Sequence, residues 1–317
     1  MLTRYQSYVR RDQDNGTLVT RMRLKWRHFV RDKRNAWWES QIGNREYIDI
    51  RLEAATRMRL YFDSRLSRLI YSNDFEWKER QFLKSFLRPG DVFVDLGANI
   101  GLFTLIAARQ VGSTGHVYAF EPCRETYERL LTNVRLNRLA NVSVHQLALS
   151  DRVGQYDMKV SLDGYDAWNS LAQPIAGGSF TVKTVNAVTW DEFSRQNKLV
   201  GRVTTMKIDV EGWESRVLLG GCETLSRMDA PVLQVEFTEL AARSAGSSCP
   251  NLYHMLEDLG YQMFTYDAKY RKLIADPLRA EYPYVNLIAA KRPEQVSTRL
   301  DRGPTLQLYG ELGPYRL

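Results

Sequence analysis

The chain has 317 residues, with 44 Lys and Arg against 37 Asp and Glu and a formal net charge of +7; 44% of its residues are hydrophobic, enough for one large domain or one domain with an added segment. No apolar run approaches the length that spans a bilayer, and the polar stretch from Met1 to Arg11 lacks the apolar centre of a signal peptide. Cys123, Cys222 and Cys249 show no paired spacing, which argues against a zinc site and leaves a cytoplasmic enzyme as the default expectation.

Residues 1–45 form a basic, aromatic extension that is expected to be mostly helical. Arg4, Arg10, Arg11, Arg21, Arg23, Lys25, Arg27, Arg31, Lys33 and Arg34 alternate there with Trp26, Phe29, Trp37 and Trp38. Three readings are open: tryptophans that dock the arm onto the core or onto a second copy as a homo-oligomer, a grip on a polyanion such as RNA, or a membrane-surface helix. Residues 46–90 change character. Alternation over Tyr47–Leu52 and Arg57–Phe62 predicts a short antiparallel pair. A helix carrying Phe82, Leu83 and Phe86 follows, with Asp74 as its N-cap. Glu76 either reaches a cofactor or is a helix-start glutamate favoured by the dipole.

The main domain, 91–292, opens on the stretch that organises it. Pro89 and Gly90 turn the chain into an apolar run from Asp91 to Leu96, a buried strand; from Ile100 to about Val111 the apolar spacing is helical. Between them, Asp95, Gly97, Asn99 and Gly101 form a tight loop. The glycines permit the turn and are expected to leave room for a ligand, with the Asp95 carboxylate at the strand's carboxyl end. A dinucleotide site wants Gly-x-Gly-x-x-Gly facing a pyrophosphate. Here the spacing is Gly-x-x-x-Gly beside an anion, which suits a ligand with a cationic amino group, such as S-adenosylmethionine. A ligand-free structural turn and a nicotinamide or flavin site are the alternatives.

Strand and helix then alternate, predicting a doubly wound, mostly parallel α/β sheet. The second strand ends at Glu121, placed to accept hydrogen bonds from ribose hydroxyls. The third, Val142–Leu147, runs into Ala148, Leu149, Ser150 and Asp151, a set to pack on an adenine ring and read its edge. Tyr156–Val160 and Phe180–Val185 read as strands flanking Tyr165, Trp168 and Asn169. That segment is either a flap over an acceptor, with those three side chains on a sugar ring, or a surface hairpin. Two further strands end in Lys207, Asp209 and Glu211, and in Glu236. Alternate strand residues share a side. Three charges converging there are either an ion pair neutralising itself or the chemistry beside a reactive methyl. None of His28, His116, His145 or His254 is expected at a strand end facing this site, so Asp209, then Glu211 and Glu236, are the candidate bases, with Lys207 keeping Asp209 ionised. All three carboxylates are also conceivable ligands of a divalent metal, though no metal site is assigned. The tail 293–317 is expected to be loose.

Asp-x-Gly-Ala-Asn-x-Gly at 95–101, Phe-Glu-Pro at 120–122, Ala-Leu-Ser-Asp at 148–151, Val-Thr-Trp-Asp-Glu at 188–192 and Lys-Ile-Asp-Val-Glu-Gly-Trp-Glu at 207–214 occur in that order. The first resembles motif I of the class I methyltransferases, and the series resembles the FkbM-type methyltransferases from roughly Ile70 to Phe237, more loosely to Ala290. The resemblance implies a seven-stranded class I sheet with its seventh strand antiparallel. It also implies S-adenosylmethionine as cofactor and O-methylation of a hydroxyl on a sugar, polyketide or related small molecule. An RNA- or protein-directed methyltransferase, or a non-catalytic S-adenosylmethionine-binding partner, are the competing readings. The chain lacks the Asn/Asp-Pro-Pro-Tyr/Phe tetrad of base N-methylation. It departs from the family at Trp190 and Trp213, where bulk is expected near the acceptor pocket.

Overall fold

The structure is a computed structural model that describes residues 18–53, 56–73, 75–162, 169–172 and 179–303. Asp74, Tyr165 and Trp168 lie outside the described residues. The amino-terminal extension contributes helix α1 (Leu18–Gln41), followed by the hairpin β1 (Tyr47–Glu53) and β2 (Thr56–Tyr61). Two helices, α2 (Arg65–Tyr71) and α3 (Trp77–Phe86), lead to β3 (Val92–Leu96). Next come α4 (Leu102–Val111), β4 (His116–Phe120), α5 (Arg124–Leu136) and β5 (Val142–His145). A small excursion holds β6 (Ala148–Leu149), β7 (Gly154–Ser161) and β8 (Phe180–Val188). The chain continues through α6 (Trp190–Gln196), β9 (Thr205–Ile208), α7 (Glu214–Gly220), α8 (Cys222–Leu225) and β10 (Val232–Phe237). It ends with α9 (Glu239–Ser244), α10 (Cys249–Asp258), β11 (Gln262–Asp267), β12 (Lys272–Ala275), β13 (Val285–Ala290) and α11 (Pro293–Asp301).

The main sheet runs β12-β11-β13-β10-β9-β3-β4-β5. Its five strands from β10 to β5 are parallel, while β13 is antiparallel to both β10 and β11. The sheet is thus α/β and doubly wound, with the antiparallel strand the resemblance implied. It has eight strands rather than seven: β12 hairpins onto β11 as an extra edge. A separate three-stranded sheet, β6-β8-β7, forms beside it.

Strand alternation assigns the two faces. Phe93 belongs to one apolar cluster with α3 and α4, whereas Val94 and Leu96 belong to the other, with Phe193 and Val217 of α6 and α7. Chain order reverses between β3 and β9, since β4 and β5 lie on one side of β3 and β9 and β10 on the other. Loops diverge at such a switch point, and the gap at the strands' carboxyl ends is where open α/β sheets take ligands.

The amino-terminal arm docks on this core. Trp38 is 1% exposed, with its ring 4.4 Å from Phe62 and 5.4 Å from Tyr71, and Trp37 stacks on Tyr71 at 5.2 Å. Trp26, expected to dock as well, is 59% exposed, and Phe29 near it 52%. The hairpin is tied to α5 by Asn133 and by Asn137 at the helix's C-cap. Asn133 accepts from Arg59 N at 2.6 Å and donates to Ile100 O at 2.8 Å; Asn137 accepts from Arg57 N at 2.8 Å.

Two local expectations change. The N-cap of α3 is Glu76, held at φ +43 without a side-chain cap bond. The tail expected to be loose begins as a helix: Pro293 sits in the first turn of α11, and Val296 and Leu300 are 3% and 0% exposed in the core. Both apolar residues lie four apart, a helical spacing that the proline at its start obscured.

Candidate active site

The loop after β3 is shaped by its contacts with protein. Gly97 has φ +77, and a Cβ there would lie 1.9 Å from the Asp209 carbonyl oxygen; one at Gly101, φ +97, would lie 2.6 Å from Leu130 Cδ1. These glycines were expected to leave space for a ligand. Instead they let the β9 loop and α5 close against the turn. Asn99 also adopts positive φ, at +48. Its backbone N–H donates to Glu121 Oε2 at 3.0 Å, and Cys123 N donates to Glu121 Oε1 at 2.9 Å. Glu121 is 5% exposed at the end of β4. A carboxylate at this strand end is the group type that receives ribose hydroxyls.

The face of the sheet under α3 and α4 carries a polar seam. Asp95, Lys207 and Gln234 are register partners across β3, β9 and β10. Glu236 and Asn286 pair one step above on β10 and β13. The Lys207 ammonium contacts Asp209 Oδ2, lies 3.9 Å from Glu76 Oε2 and sits 4.6 Å from the centre of the Phe103 ring. Burial would lower its pKa, but the Asp209, Glu76 and Asp95 carboxylates outweigh burial and hold it above the usual lysine range. Asp95 is fully buried and accepts from Thr104 Oγ1 at 2.6 Å. Burial raises its pKa, against the pull of Lys207. Glu76 accepts from Tyr284 Oη at 2.5 Å and Asn286 Nδ2 at 3.2 Å, and burial pushes its pKa up to about 7.

Several seam atoms end without a hydrogen-bond partner: Asp95 Oδ1, Glu76 Oε2, Glu236 Oε2 and both side-chain polar atoms of Gln234. Buried polar groups are normally paired, so orphans gathered in one place mark where a ligand completes the bonding. Asp95 Oδ1 and Glu76 Oε2 are acceptors suited to an ammonium group. With Glu121 on the neighbouring loop they fit S-adenosylmethionine, which carries an amino group and a ribose.

Beyond β9 the chain makes a strained turn. Glu211 has φ +53 and Gly212 φ +97, and a Cβ on Gly212 would meet the Ala241 carbonyl oxygen at 2.3 Å. Glu214 Oε1 holds this turn by accepting from Val210 N at 3.0 Å and Gly212 N at 3.2 Å. Burial moves the pKa of Glu214 up to about 7, and burial with neighbouring carboxylates moves those of Glu211 and Glu236 well above the usual range. Asp209, Glu211 and Glu236 converge here, one oxygen of each within 4.8 Å of the others.

Other expected residues are placed differently. Ser150 and Asp151 are engaged in a network: Trp213 Nε1 donates to Ser150 Oγ at 3.0 Å, Ser150 Oγ to Asp151 Oδ1 at 3.0 Å, and Arg216 Nη1 to Asp151 Oδ2 at 3.0 Å. Ala148 and Leu149 are buried in β6 beside it. Trp190, expected near the acceptor, is 2% exposed in the core against Phe193. Asn169 reaches the backbone of β7, accepting from Ser161 N at 3.0 Å. Its neighbour Ser170 donates to Glu211 O at 2.6 Å, bringing the β7–β8 hairpin onto the strained turn. His145 does end β5, but it stacks with Phe120 and Phe193 on the opposite face from the seam. Thr104, Glu79, Gln234, Tyr284 and Asn286 were missed. Tyr284 and Asn286 are two apart, the spacing that puts both on one side of a strand, but only the pairing of β13 with β10 reveals which side. A groove of about 600 Å³ lined by Arg88, Thr204, Pro231, Lys291 and Arg299 lies at the opposite, amino-terminal ends of β9 and β10.

The switch point at the strands' carboxyl ends brings together acceptors for an amino group and a ribose, which suit S-adenosylmethionine. The model of the methyltransferase FkbM domain matches residues 95–263, over half of the chain, and the chain belongs to that family. A curated relative, 31-O-demethyl-FK506 methyltransferase FkbM of Streptomyces tacrolimicus, is 32% identical over 160 residues, 42% of this chain and 60% of that protein. The chain thus spans about 60% of the length of the curated relative it matches. Among solved structures, a putative rRNA-methylase from Clostridium thermocellum overlaps 67% of this chain and 93% of its own, at 10% identity and a TM-score of 0.40. TYW2 of M. jannaschii, in complex with AdoMet, overlaps 77% and 84%, at 15% identity and a TM-score of 0.39. The family assignment rests on the domain match. No helix among the described residues is long and apolar enough to cross a membrane.

Proposed function

We propose that the chain O-methylates a hydroxyl of a small molecule of the sugar or polyketide kind. The convergence of Asp209, Glu211 and Glu236 beside the cofactor cradle carries this reading. The FkbM relative, whose name places its chemistry at an oxygen, supports it. When bound, S-adenosylmethionine supplies an electrophilic methyl group. Methyl transfer forms a carbon–oxygen bond as the carbon–sulfur bond breaks, and the acceptor hydroxyl loses its proton. Positioning in a dry cleft provides most of the acceleration, and carboxylates beside the oxygen favour the proton's departure. Asp95 and Glu76 orient the amino-acid end of the cofactor and Glu121 its ribose. Asp209, held by Lys207, stands nearest the acceptor oxygen, and its negative charge is what the step requires. Trp213 and the hairpin clasped by Ser170 border the acceptor side.

Methyl-transfer assays over a panel of hydroxylated sugars and polyketides test this. Asp209→Asn keeps the shape and removes the charge, so turnover should fall about 10²–10⁴-fold, while affinity for S-adenosylhomocysteine stays within a few-fold. Turnover retained within a few-fold in that variant would overturn the role of Asp209. Methylation of RNA or protein instead of any hydroxyl acceptor would overturn the substrate class.

A further inference from the structure

We infer that Asp209, Glu211 and Glu236 hold a divalent cation of the Mg²⁺ or Mn²⁺ type, set between the cofactor cradle and the acceptor. This rests on the reading that these carboxylates face the acceptor. It deepens that reading: in the loaded enzyme the charge of Asp209 acts through the cation, which draws the acceptor hydroxyl in and eases loss of its proton.

Three observations carry the site. The first is geometric: one oxygen from each residue lies within 4.8 Å of the others, and oxygens sharing one hard cation at about 2.1–2.5 Å lie no more than about 5 Å apart. Hard divalent cations select all-oxygen sets of this kind. The second is an unmet bond. Glu236 is 4% exposed; Thr238 Oγ1 donates to its Oε1 at 3.0 Å, but its buried Oε2 has no hydrogen-bond partner. Gln234, 1% exposed and on the same side of β10 two residues earlier, leaves both of its polar atoms unmet. The third is a charge imbalance. Lys207 contacts Asp209, but among the described residues no lysine or arginine forms an ion pair with Glu211 or Glu236. A divalent cation would supply the positive partner that Glu211 and Glu236 lack once they are ionised. Access is also present: Asp209 has a side-chain exposure of 15% and Glu211 is half-buried, so the set opens outward from Glu236 at its base.

The test is Mn²⁺ titration of the full, chelator-stripped chain, followed by electron paramagnetic resonance, with and without saturating S-adenosylhomocysteine. One saturable site is expected, with Mg²⁺ competing for it. Glu236→Gln and Glu211→Gln should each weaken it by at least the roughly 10-fold that loss of a mere supporting group costs, with the fold confirmed by circular dichroism. Glu294→Gln, in the first turn of α11 beside the groove at the opposite ends of the strands, should leave it unchanged. No saturable Mn²⁺ site in either condition, or equal binding in both cluster variants, overturns the inference. Calorimetry with S-adenosylhomocysteine on the same samples judges the cofactor cradle separately: cofactor binding without Mn²⁺ binding removes the cation and leaves the methyltransferase reading intact.

Discussion

Lys207 shows how little of a site one residue type reveals. Its spacing from Asp209 placed both on one side of a strand, and the structure agrees that they touch. What the spacing could not show was that Glu76, over a hundred residues earlier, comes within 3.9 Å of the same ammonium. The residues expected to hold the cofactor divide in the same way. Asp95 and Glu121 sit where strand ends put them, whereas Ser150 and Asp151 are held by Trp213 and Arg216. Asp95→Asn and Glu121→Gln should each weaken S-adenosylhomocysteine binding by about 1.5–3 kcal/mol, read by calorimetry on folded protein. Unchanged affinity in both would place the cofactor elsewhere. The positions of Asp95 and Glu121 at strand ends were legible because a strand end constrains residue type locally, whereas what Gly97 meets, the Asp209 carbonyl oxygen, was not. Asn286 was not legible, because its role depends on which strands become neighbours, nor was Thr104, whose bond to Asp95 depends on how α4 packs on β3.

Among the elements, α1 shows the competition between charge and packing. Its basic residues suggested a surface grip, yet Trp37 and Trp38 seat it on Phe62 and Tyr71. Trp38→Ala should cost about 3–5 kcal/mol, measured by urea unfolding. Trp26→Ala, at a 59% exposed site, should cost far less. Equal effects would mean that α1 is not docked as described. The hairpin β1–β2 was legible from its alternation. The extra edge strand β12 was not, since Lys272–Ala275 is a short segment with little alternating exposure. The helical start of the tail was hidden too, because two buried residues are too few to establish a period.

At the scale of the whole molecule, the carboxyl ends of the strands concentrate acids whose pKa values burial raises. Glu76 and Glu214 both move to about 7. In the unfolded chain these groups titrate near the ordinary glutamate value of about 4.3. Between those values the folded state binds more protons, so their contribution is fully present below the unfolded pKa and is lost as pH rises through about 7. Without cofactor or metal, the chain should therefore be more stable at pH 5.5 than at pH 8. Glu76→Gln should flatten that slope, followed by urea unfolding at a series of pH values. A stability that rises steadily from pH 5.5 to 8 would contradict the buried, proton-holding state of these carboxyls.

The position of β13 bears on the order of assembly. It lies between β10 and β11, yet it is the last of the described strands to be made. Until residue 290 has left the ribosome, β10 has no neighbour on that side, and β11 with β12 is a hairpin detached from the sheet. Asn286, which reaches Glu76 and pairs with Glu236, arrives in the same step. The floor proposed for the cofactor is therefore finished only when β13 inserts, a late, long-range closure of the kind that slows folding. A chain stopped after Glu281 should keep β10 amides unprotected in hydrogen exchange and fail to bind S-adenosylhomocysteine. Adding residues 282–303 back should restore both together.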